Sequence, residues 1–185
     1  MSLVTTLEDG RLDFLEAARD IVPERASARP APGAWSALEC IEHVVIVEGR
    51  YLGWLLNGVP ISPKKDMDKE FRLFTLIRSR LTKMDAPEVI WPTGRFDSLA
   101  TALAEFKATR DRSVQAVEER GDSIYAVSAR HPFFGEMNGA ELIHLMDGHA
   151  RRHADQIREA CEILAGGRSE DLQPRDKFRG GVGRS

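Results

Sequence analysis

Residues 142–153 read LIHLMDGHARRH, and their spacing predicts a helix with two histidines on its inward face. Successive residues of an α-helix are rotated by about 100°, so residues four apart lie one turn above each other. His149 and His153 therefore share an apolar stripe, whereas His144 falls roughly opposite and is expected to face solvent. The other members of the stripe are apolar: Leu142, Met146, Ile157, Ala160 and Leu164.

Four segments show helical periodicity, and no segment shows a sustained strand-like alternation. The predicted helices cover residues 7–22, 36–58, 98–120 and 138–166. Ser36 and Asn138 each precede a glutamate by three places, a capping-box pattern that marks a helix start. The first helix is expected to turn one apolar side inward, formed by Leu12, Leu15, Ala18 and Val22.

The segments between these helices predict how the bundle is connected. Residues 59–97, with a short helix expected at 69–83, and residues 122–137 are both too long for simple antiparallel hairpins. At least one long crossover connection is therefore expected, within an all-α four-helix bundle. We expect residues 1–165 to form the bundle and residues 166–185, which are polar and rich in glycine, to form a flexible tail.

Composition and charge argue against several classes of partner. The formal net charge is −3 and no basic stripe appears, so a nucleic-acid partner is not expected. No signal peptide and no stretch long enough to span a bilayer is found, which predicts a cytoplasmic protein without a membrane partner. Cys40 and Cys161 are interpreted as small buried side chains in a reducing compartment. A disulfide between them stays open, because the sequence does not show whether their helices touch.

Two stacked histidines on an apolar stripe need partners for four ring nitrogens. Imidazoles at positions i and i+4 can converge on one metal ion, and that would satisfy both His149 and His153. The alternative is a pair of core histidines that hydrogen-bond to other side chains or to water. The periodicity alone does not choose between them.

Three further polar residues lie on or beside apolar faces. By periodicity His43 lies at the margin of a wide apolar arc, where a partly exposed surface histidine is expected. Glu48 projects among apolar neighbours, as a carboxylate at the rim of the core or one held in the core by a cation. Gln156 lies on the inward side of the fourth helix. Glu48 and Gln156 are candidate partners for groups that ligate a metal.

Three motifs, in order along residues 7–165, resemble those of the DinB/YfiT-like metalloenzyme family. They are Trp35-Ser36-x-x-Glu39-x-x-x-His43, His131-Pro132-x-x-Gly135 and His149-x-x-x-His153-x-x-Gln156-Ile157. The resemblance implies an up-down-down-up bundle, frequently a homodimer. It also implies a three-histidine centre for a divalent metal, with His43, His149 and His153 as ligands.

The resemblance implies several functions. Some relatives are S-transferases or isomerases that use low-molecular-weight thiols such as bacillithiol or mycothiol, and others are metal-dependent hydrolases. We expect a metal-dependent enzyme of the thiol S-transferase type acting on a small molecule, because three histidines leave one coordination position open. A hydrolase that activates water is the alternative, and so is a non-catalytic protein in which the ion only ties two helices together. Zinc and nickel both suit imidazole ligands.

Overall fold

The computed structural model describes residues 2–79 and 86–166. Over these residues the chain forms α1 (Leu3–Arg19), α2 (Ala37–Leu56), α3 (Met67–Arg78), α4 (Leu99–Arg120) and α5 (Gly139–Leu164). The prediction of an all-α four-helix bundle is confirmed: α1, α2, α4 and α5 form the bundle, and α3 packs against α5. The predicted tail beyond Gly166 and the end of the predicted short helix, residues 80–83, lie outside the described residues. The division into a bundle and a flexible tail stays a prediction.

The helix starts follow from side-chain caps. Ser36 and Glu39 form a reciprocal capping box at the start of α2, with hydrogen bonds of 2.8 and 3.2 Å. Asn138 forms the same motif at the start of α5. The first helix begins four residues earlier than predicted, because the Ser2 hydroxyl accepts a hydrogen bond from the Thr5 backbone N–H and caps Leu3.

Pairs of contacts between neighbouring helices fix their directions as up-down-down-up. Residue numbers rise together where α1 meets α5 (Gly10–Asp147 and Asp13–Arg158) and where α2 meets α4 (Glu48–Arg110 and Leu56–Arg120), so the helices of each of these pairs are parallel. They run in opposite senses where α2 meets α5 (His43–His149 and Leu55–Gly139), so these two helices are antiparallel. Because α2 and α4 run in the same direction, residues 57–98 must return along the bundle. The predicted long crossover is therefore confirmed, and α3 lies within it.

The expectation of no strands is wrong. Three short strands, β1 (Val59–Pro60), β2 (Val127–His131) and β3 (Gly135–Asn138), form an antiparallel sheet in the order β1-β2-β3. Strands of two to five residues are too short for an apolar alternation to show in the sequence. The sheet joins the two long connections of the bundle through the pairing of β1 with β2.

A layer of buried charge crosses the bundle between two apolar clusters. Glu48, Arg110 and Asp147 form this polar layer. The Arg110 guanidinium donates two hydrogen bonds of 2.8 Å to the Glu48 carboxylate and one of 2.7 Å to the Leu7 carbonyl. Gly10 admits Asp147 beside α1, since a Cβ at that position would lie 1.9 Å from an Asp147 carboxylate oxygen.

The apolar clusters lie on either side of the polar layer. One contains Leu7, Val47, Leu55, Ile143 and Met146; the other contains Phe14, Ile41, Val44, Phe106 and Ile157. The predicted inward face of the first helix is corrected here: Leu12 and Val22 are exposed, and Val22 lies beyond the end of α1. The inward face is instead centred on Leu7, Gly10 and Phe14, which follow the heptad-like spacing that packs against α5.

Two smaller findings concern the cysteines and the membrane. Cys40 is buried and Cys161 half-buried, and neither forms a disulfide. Within the described part of the chain, every helix is too short or too charged to cross a lipid bilayer.

The Glu48–Arg110 pair predicts a large effect of removing one partner. Arg110→Met leaves the Glu48 carboxylate buried without its cation, which is expected to lower the free energy of unfolding by about 3–5 kcal/mol. The double variant Glu48→Leu/Arg110→Met removes both charges and should recover most of that loss. Urea unfolding of the two variants measures the difference.

The control is Arg112→Met, which breaks an exposed ion pair with Glu105 and should change stability by less than about 1 kcal/mol. An Arg110→Met protein as stable as the wild type would show that the pair is not needed to hold the polar layer.

Candidate metal centre

Three imidazoles from α2 and α5 converge in the bundle. His149 and His153 lie one turn apart on α5, and His43 faces them from α2. One ring nitrogen of each lies within 4.8 Å of the other two. The exposed fraction is 2% for His43, 8% for His149 and 6% for His153, so the rings meet at the edge of the core. The prediction from periodicity that His149 and His153 point inward is confirmed.

The orientation of His43 is set by a backbone carbonyl. Its Nδ1–H donates a 2.7 Å hydrogen bond to the carbonyl of Ile90, in a 3₁₀ turn formed by Glu88–Ile90. The proton is therefore on Nδ1, and the lone pair of Nε2 faces the other two histidines. The expectation from periodicity that His43 is partly exposed is wrong, because this turn covers it. A histidine that ligates a metal characteristically donates its other N–H to such a carbonyl.

The distances and the chemistry of the three rings fit a divalent ion. Nε2 of His43 lies 3.1 Å from Nε2 of His149, close to the separation of about 3.3 Å expected for two nitrogen ligands of tetrahedral zinc. A hydrogen bond between these two rings would also explain that distance. It would leave the buried Nδ1 of His153 without a hydrogen-bond partner among the described residues. A shared ion, directly or through a bound water, accounts for all three rings.

Trp35 closes one side of the cluster. Its ring centroid lies 4.7 Å from that of His43 and 6.1 Å from that of His153, with the second pair nearly parallel. Trp35 immediately precedes the Ser36 cap, so the start of α2 places it beside the histidines. An aromatic wall of this kind limits water around the rings and holds their rotamers.

Burial keeps the three imidazoles neutral. It lowers the pKa of His43, partly opposed by the hydrogen bond to Ile90. Burial also takes the pKa of His149 and of His153 well below the ordinary value, and the neighbouring rings and the positive charge of Arg152 lower both further. A metal ligand must be the neutral imidazole, so the protein environment favours the form that binds an ion.

Glu48 and Gln156, the two other candidate residues, have different surroundings. Both Glu48 oxygens are engaged by Arg110, so the cation that holds this carboxylate in the core is an arginine. The structure does not bring Glu48 into the histidine cluster. Gln156 is half-buried one turn beyond His153, and its side chain favours the protonated form of that ring, a minor effect against burial. Gln156 is thus placed beside the cluster.

His144 was expected to face solvent, and the structure corrects this. Its side chain is only 20% exposed, because α3 packs over it and brings the Glu70 carboxylate to 3.3 Å from Nε2. The sequence shows the angular position of His144 on α5 but not that a fifth helix covers that side. His144 nevertheless lies outside the cluster of three.

His131, in the second motif of the sequence, stabilises a turn. Its Nδ1 accepts hydrogen bonds from the N–H groups of Phe133 and Phe134, and its Nε2–H donates to the Tyr51 hydroxyl at 3.2 Å. Burial, together with the positive charge of Arg50, lowers its pKa to about 4. The neutral ring therefore shapes the connection between β2 and β3.

Sequence reasoning missed the residues that surround the histidines from the crossover. Ile90 contributes only its carbonyl, which any residue carries, so no sequence signal marks it. Glu42 is buried beside His43 and accepts four hydrogen bonds from Thr93, Gly94 and Arg95. Glu42 stands among apolar residues of a predicted helix, directly before His43, and this position could have indicated a buried carboxylate beside the site.

Comparisons with known proteins agree with this architecture. The profile of the DinB superfamily matches residues 6–157. The uncharacterized protein YuaE of Bacillus subtilis (strain 168) is 21% identical over 161 residues, which cover 87% of this chain and 98% of YuaE. A crystal structure of TT2238, described as a four-helix bundle protein, aligns with a TM-score of 0.55 at 24% identity. That alignment covers 85% of this chain and 96% of TT2238, and it supports the fold alone.

The cluster predicts that divalent metal affinity depends on all three rings. His43→Ala leaves two imidazoles and should weaken zinc or nickel binding at least about tenfold, with the helical content unchanged. His144→Ala is the control and should bind like the wild type, since His144 lies outside the cluster. Competition titration of the metal-free proteins against a chromophoric chelator measures both affinities. Equal affinities for wild type and His43→Ala would exclude a three-histidine centre.

The lowered pKa values predict a pH dependence for the metal-free protein. In the unfolded chain a histidine titrates at about pH 6.5, whereas the buried rings stay neutral in the folded state. As the pH falls from about 7 to 5, the unfolded chain takes up protons that the folded chain does not, so stability is lost. Urea unfolding at several pH values in the presence of a chelator measures this slope.

A double variant provides the comparison for the pH experiment. His149→Leu/His153→Leu should show a shallower loss of stability over the same pH range. Part of the slope should remain, because His43 and His131 are still buried and neutral. An unchanged slope in the double variant would contradict the assignment of neutral, buried rings at these two positions.

Proposed function

The chain belongs to the DinB superfamily, and we propose that it is a divalent-metal-dependent enzyme of the low-molecular-weight-thiol S-transferase type that acts on a small molecule. The observation that carries the proposal is the convergence of His43, His149 and His153 without a carboxylate among them in the described part of the chain. Three neutral nitrogen ligands and an open position are the pattern of catalytic zinc sites, whereas structural zinc sites have four protein ligands.

The three histidines would hold the ion, and zinc and nickel both suit imidazole ligands. A divalent ion bound there would lower the pKa of a coordinated thiol, so that the thiolate is available near neutral pH. The positive charge of Arg152 acts on both His149 and His153. Its guanidinium also donates to the Ser79 carbonyl, which holds it beside α5. This charge favours an anionic ligand, such as a thiolate, over a neutral one.

The sulfur would attack an electrophilic carbon of the second substrate, and the leaving group would depart with the electron pair of its bond to that carbon. The protein residues position the thiol and limit water. Trp35 lies against His43 and His153 and forms an apolar wall beside them. Neutral buried rings keep their positions through the reaction, because no step requires them to carry a proton.

Hydrolysis is the alternative, and the surrounding carboxylates favour the thiol reaction over it. Hydrolytic metal sites commonly use a carboxylate as general base beside the attacking water. The buried carboxylates nearest in sequence to the ligands are each engaged: Glu42 by the backbone of residues 93–95, Glu48 by Arg110, and Asp147 by Arg151. A thiol brings its own nucleophile and needs no such base.

The remaining expectations about partners stay predictions. We propose a small-molecule substrate, no nucleic-acid or membrane partner, and a homodimer.

The proposal predicts that a thiol reaches the ion. Cobalt-loaded protein should develop a near-ultraviolet band, characteristic of thiolate bonded to cobalt, when a low-molecular-weight thiol such as cysteine or bacillithiol is added. The band should be absent in His43→Ala at the same cobalt concentration. Elemental analysis of protein purified without a metal-affinity column identifies the native ion, and consumption of the thiol with an electrophile such as a haloalkyl bimane tests transfer.

The outcomes separate the alternatives. Absence of the thiolate band together with hydrolysis of an activated ester would favour the hydrolase. A tightly bound ion with neither thiol binding nor hydrolysis would favour a non-catalytic role in which the ion ties α2 to α5.

A further inference from the structure

Glu42 is a buried carboxylate that binds a segment of backbone. It is 1% exposed, although it lies on α2 next to His43. One oxygen accepts from the Thr93 N–H at 2.7 Å and the Thr93 hydroxyl at 3.0 Å. The other accepts from the N–H groups of Gly94 at 3.0 Å and Arg95 at 3.3 Å. Hydrogen bonds to an ionised acceptor are about twice as strong as those between neutral groups.

The backbone of residues 93–95 is shaped to present these donors. Gly94 has φ +78°, a left-handed conformation that costs glycine little and other residues more. Consecutive N–H groups then point to the same side and form a concave site for an anion. Thr93, Gly94 and Arg95 are themselves exposed. Where they lie over the Glu42 carboxylate, they therefore separate it from solvent.

The same segment supplies the carbonyl that orients His43. Ile90 precedes Thr93 by three residues, and its carbonyl accepts the Nδ1–H of His43. Glu42 and His43 are adjacent on α2, so two consecutive side chains attach the segment to the helix through two different contacts. The hydrogen bonds to Glu42 hold residues 93–95 against α2, three residues after the carbonyl that His43 contacts.

We propose that Glu42 is a positioning residue of the metal centre, which acts through residues 90–95 to hold the Nε2 lone pair of His43 toward His149 and His153. The inference rests on the proposed function only in requiring that the three histidines bind an ion. Without the carboxylate, residues 93–95 lose their shared acceptor and the Ile90 carbonyl is no longer held on His43. The ring of His43 can then rotate or take the other tautomer, and metal affinity falls.

The test compares Glu42→Ala and Glu42→Gln with the wild type. Cobalt affinity should fall about 10–100-fold in Glu42→Ala, the range seen when a group that orients a metal ligand is removed. Glu42→Gln keeps one acceptor oxygen, so its cobalt affinity should lie between those of the wild type and Glu42→Ala. Glu39→Gln is the matched control: it is a glutamate to glutamine change one turn earlier on α2, and glutamine still completes a capping box. Its cobalt affinity should equal that of the wild type.

A second measurement follows His43 directly in the metal-free protein. Nitrogen-15 NMR of the histidine side chains should show His43 with its proton on Nδ1 in the wild type and in Glu39→Gln. In Glu42→Ala the Nδ1 proton should exchange faster with water, and the other tautomer should appear. A residue that only stabilised the fold would lower the unfolding midpoint without changing the tautomer or the cobalt spectrum.

Each result decides between the proposals. Glu42 variants that bind cobalt as tightly as the wild type, with the wild-type tautomer, would overturn the positioning role and leave the proposed function standing. A wild type that does not bind cobalt would overturn the proposed function and the positioning role together. If Glu42→Ala does not fold, Glu42→Gln decides, and a change in its affinity of less than about twofold would overturn the inference.

Discussion

The arrangement of the bundle depends on the hydrogen bonds and the ion pair that the buried Arg110 guanidinium makes. This guanidinium projects from α4 into the interior and contacts two other helices, through the Glu48 carboxylate on α2 and the Leu7 carbonyl on α1. A buried charge is tolerated only when it is paired, so this group permits few alternative registers between those helices. The apolar clusters on either side could slide past each other with less cost. Pairing in the polar layer therefore favours one register of α1, α2 and α4. In the observed arrangement His43 of α2 lies opposite His149 of α5.

The parallel course of α2 and α4 has a consequence for the site. It requires the chain to cross the length of the bundle, and residues 86–98 of that crossover pass along α2 beside His43. The connection contributes the Ile90 carbonyl and the N–H groups that bind Glu42. A hairpin between antiparallel helices would have no backbone at this place. The topology of the bundle thus provides the contacts that turn one histidine toward the other two.

The sequence predicted the parts of the site that depend on one helix. The inward direction of His149 and His153 follows from their spacing with Leu142 and Ile157, which is a property of α5 alone. The caps at Ser36 and Asn138 are equally local. For the same reason the helices and the fold class could be predicted, apart from the short strands.

The remaining features depend on residues distant in sequence. His43 is buried by a turn 47 residues further on, and Glu48 pairs with an arginine 62 residues away. His144 is covered by α3, a helix that lies outside the bundle and whose docking site no periodicity indicates. Each of these groups has an ambiguous position when its own helix is considered, and the ambiguity is resolved only by a second element. The resemblance of the motifs supplied His43 as a ligand where periodicity pointed to the surface.

The carboxylates around the three histidines determine what an ion held there can do. Asp147 lies two residues before His149, but Arg151 binds both its oxygens at 3.1 Å and Gly10 lets it turn toward α1. The Glu42 carboxylate accepts hydrogen bonds from backbone N–H groups, and the Glu48 carboxylate accepts them from Arg110. None of these three carboxylates is placed to neutralise an ion between the histidines. Such an ion would keep its full double charge beside Arg152, and the demand for a negative ligand would fall on the substrate. By binding these carboxylates, Arg110 and Arg151 would leave an ion between the histidines free to act as the Lewis acid that the proposed thiol chemistry requires.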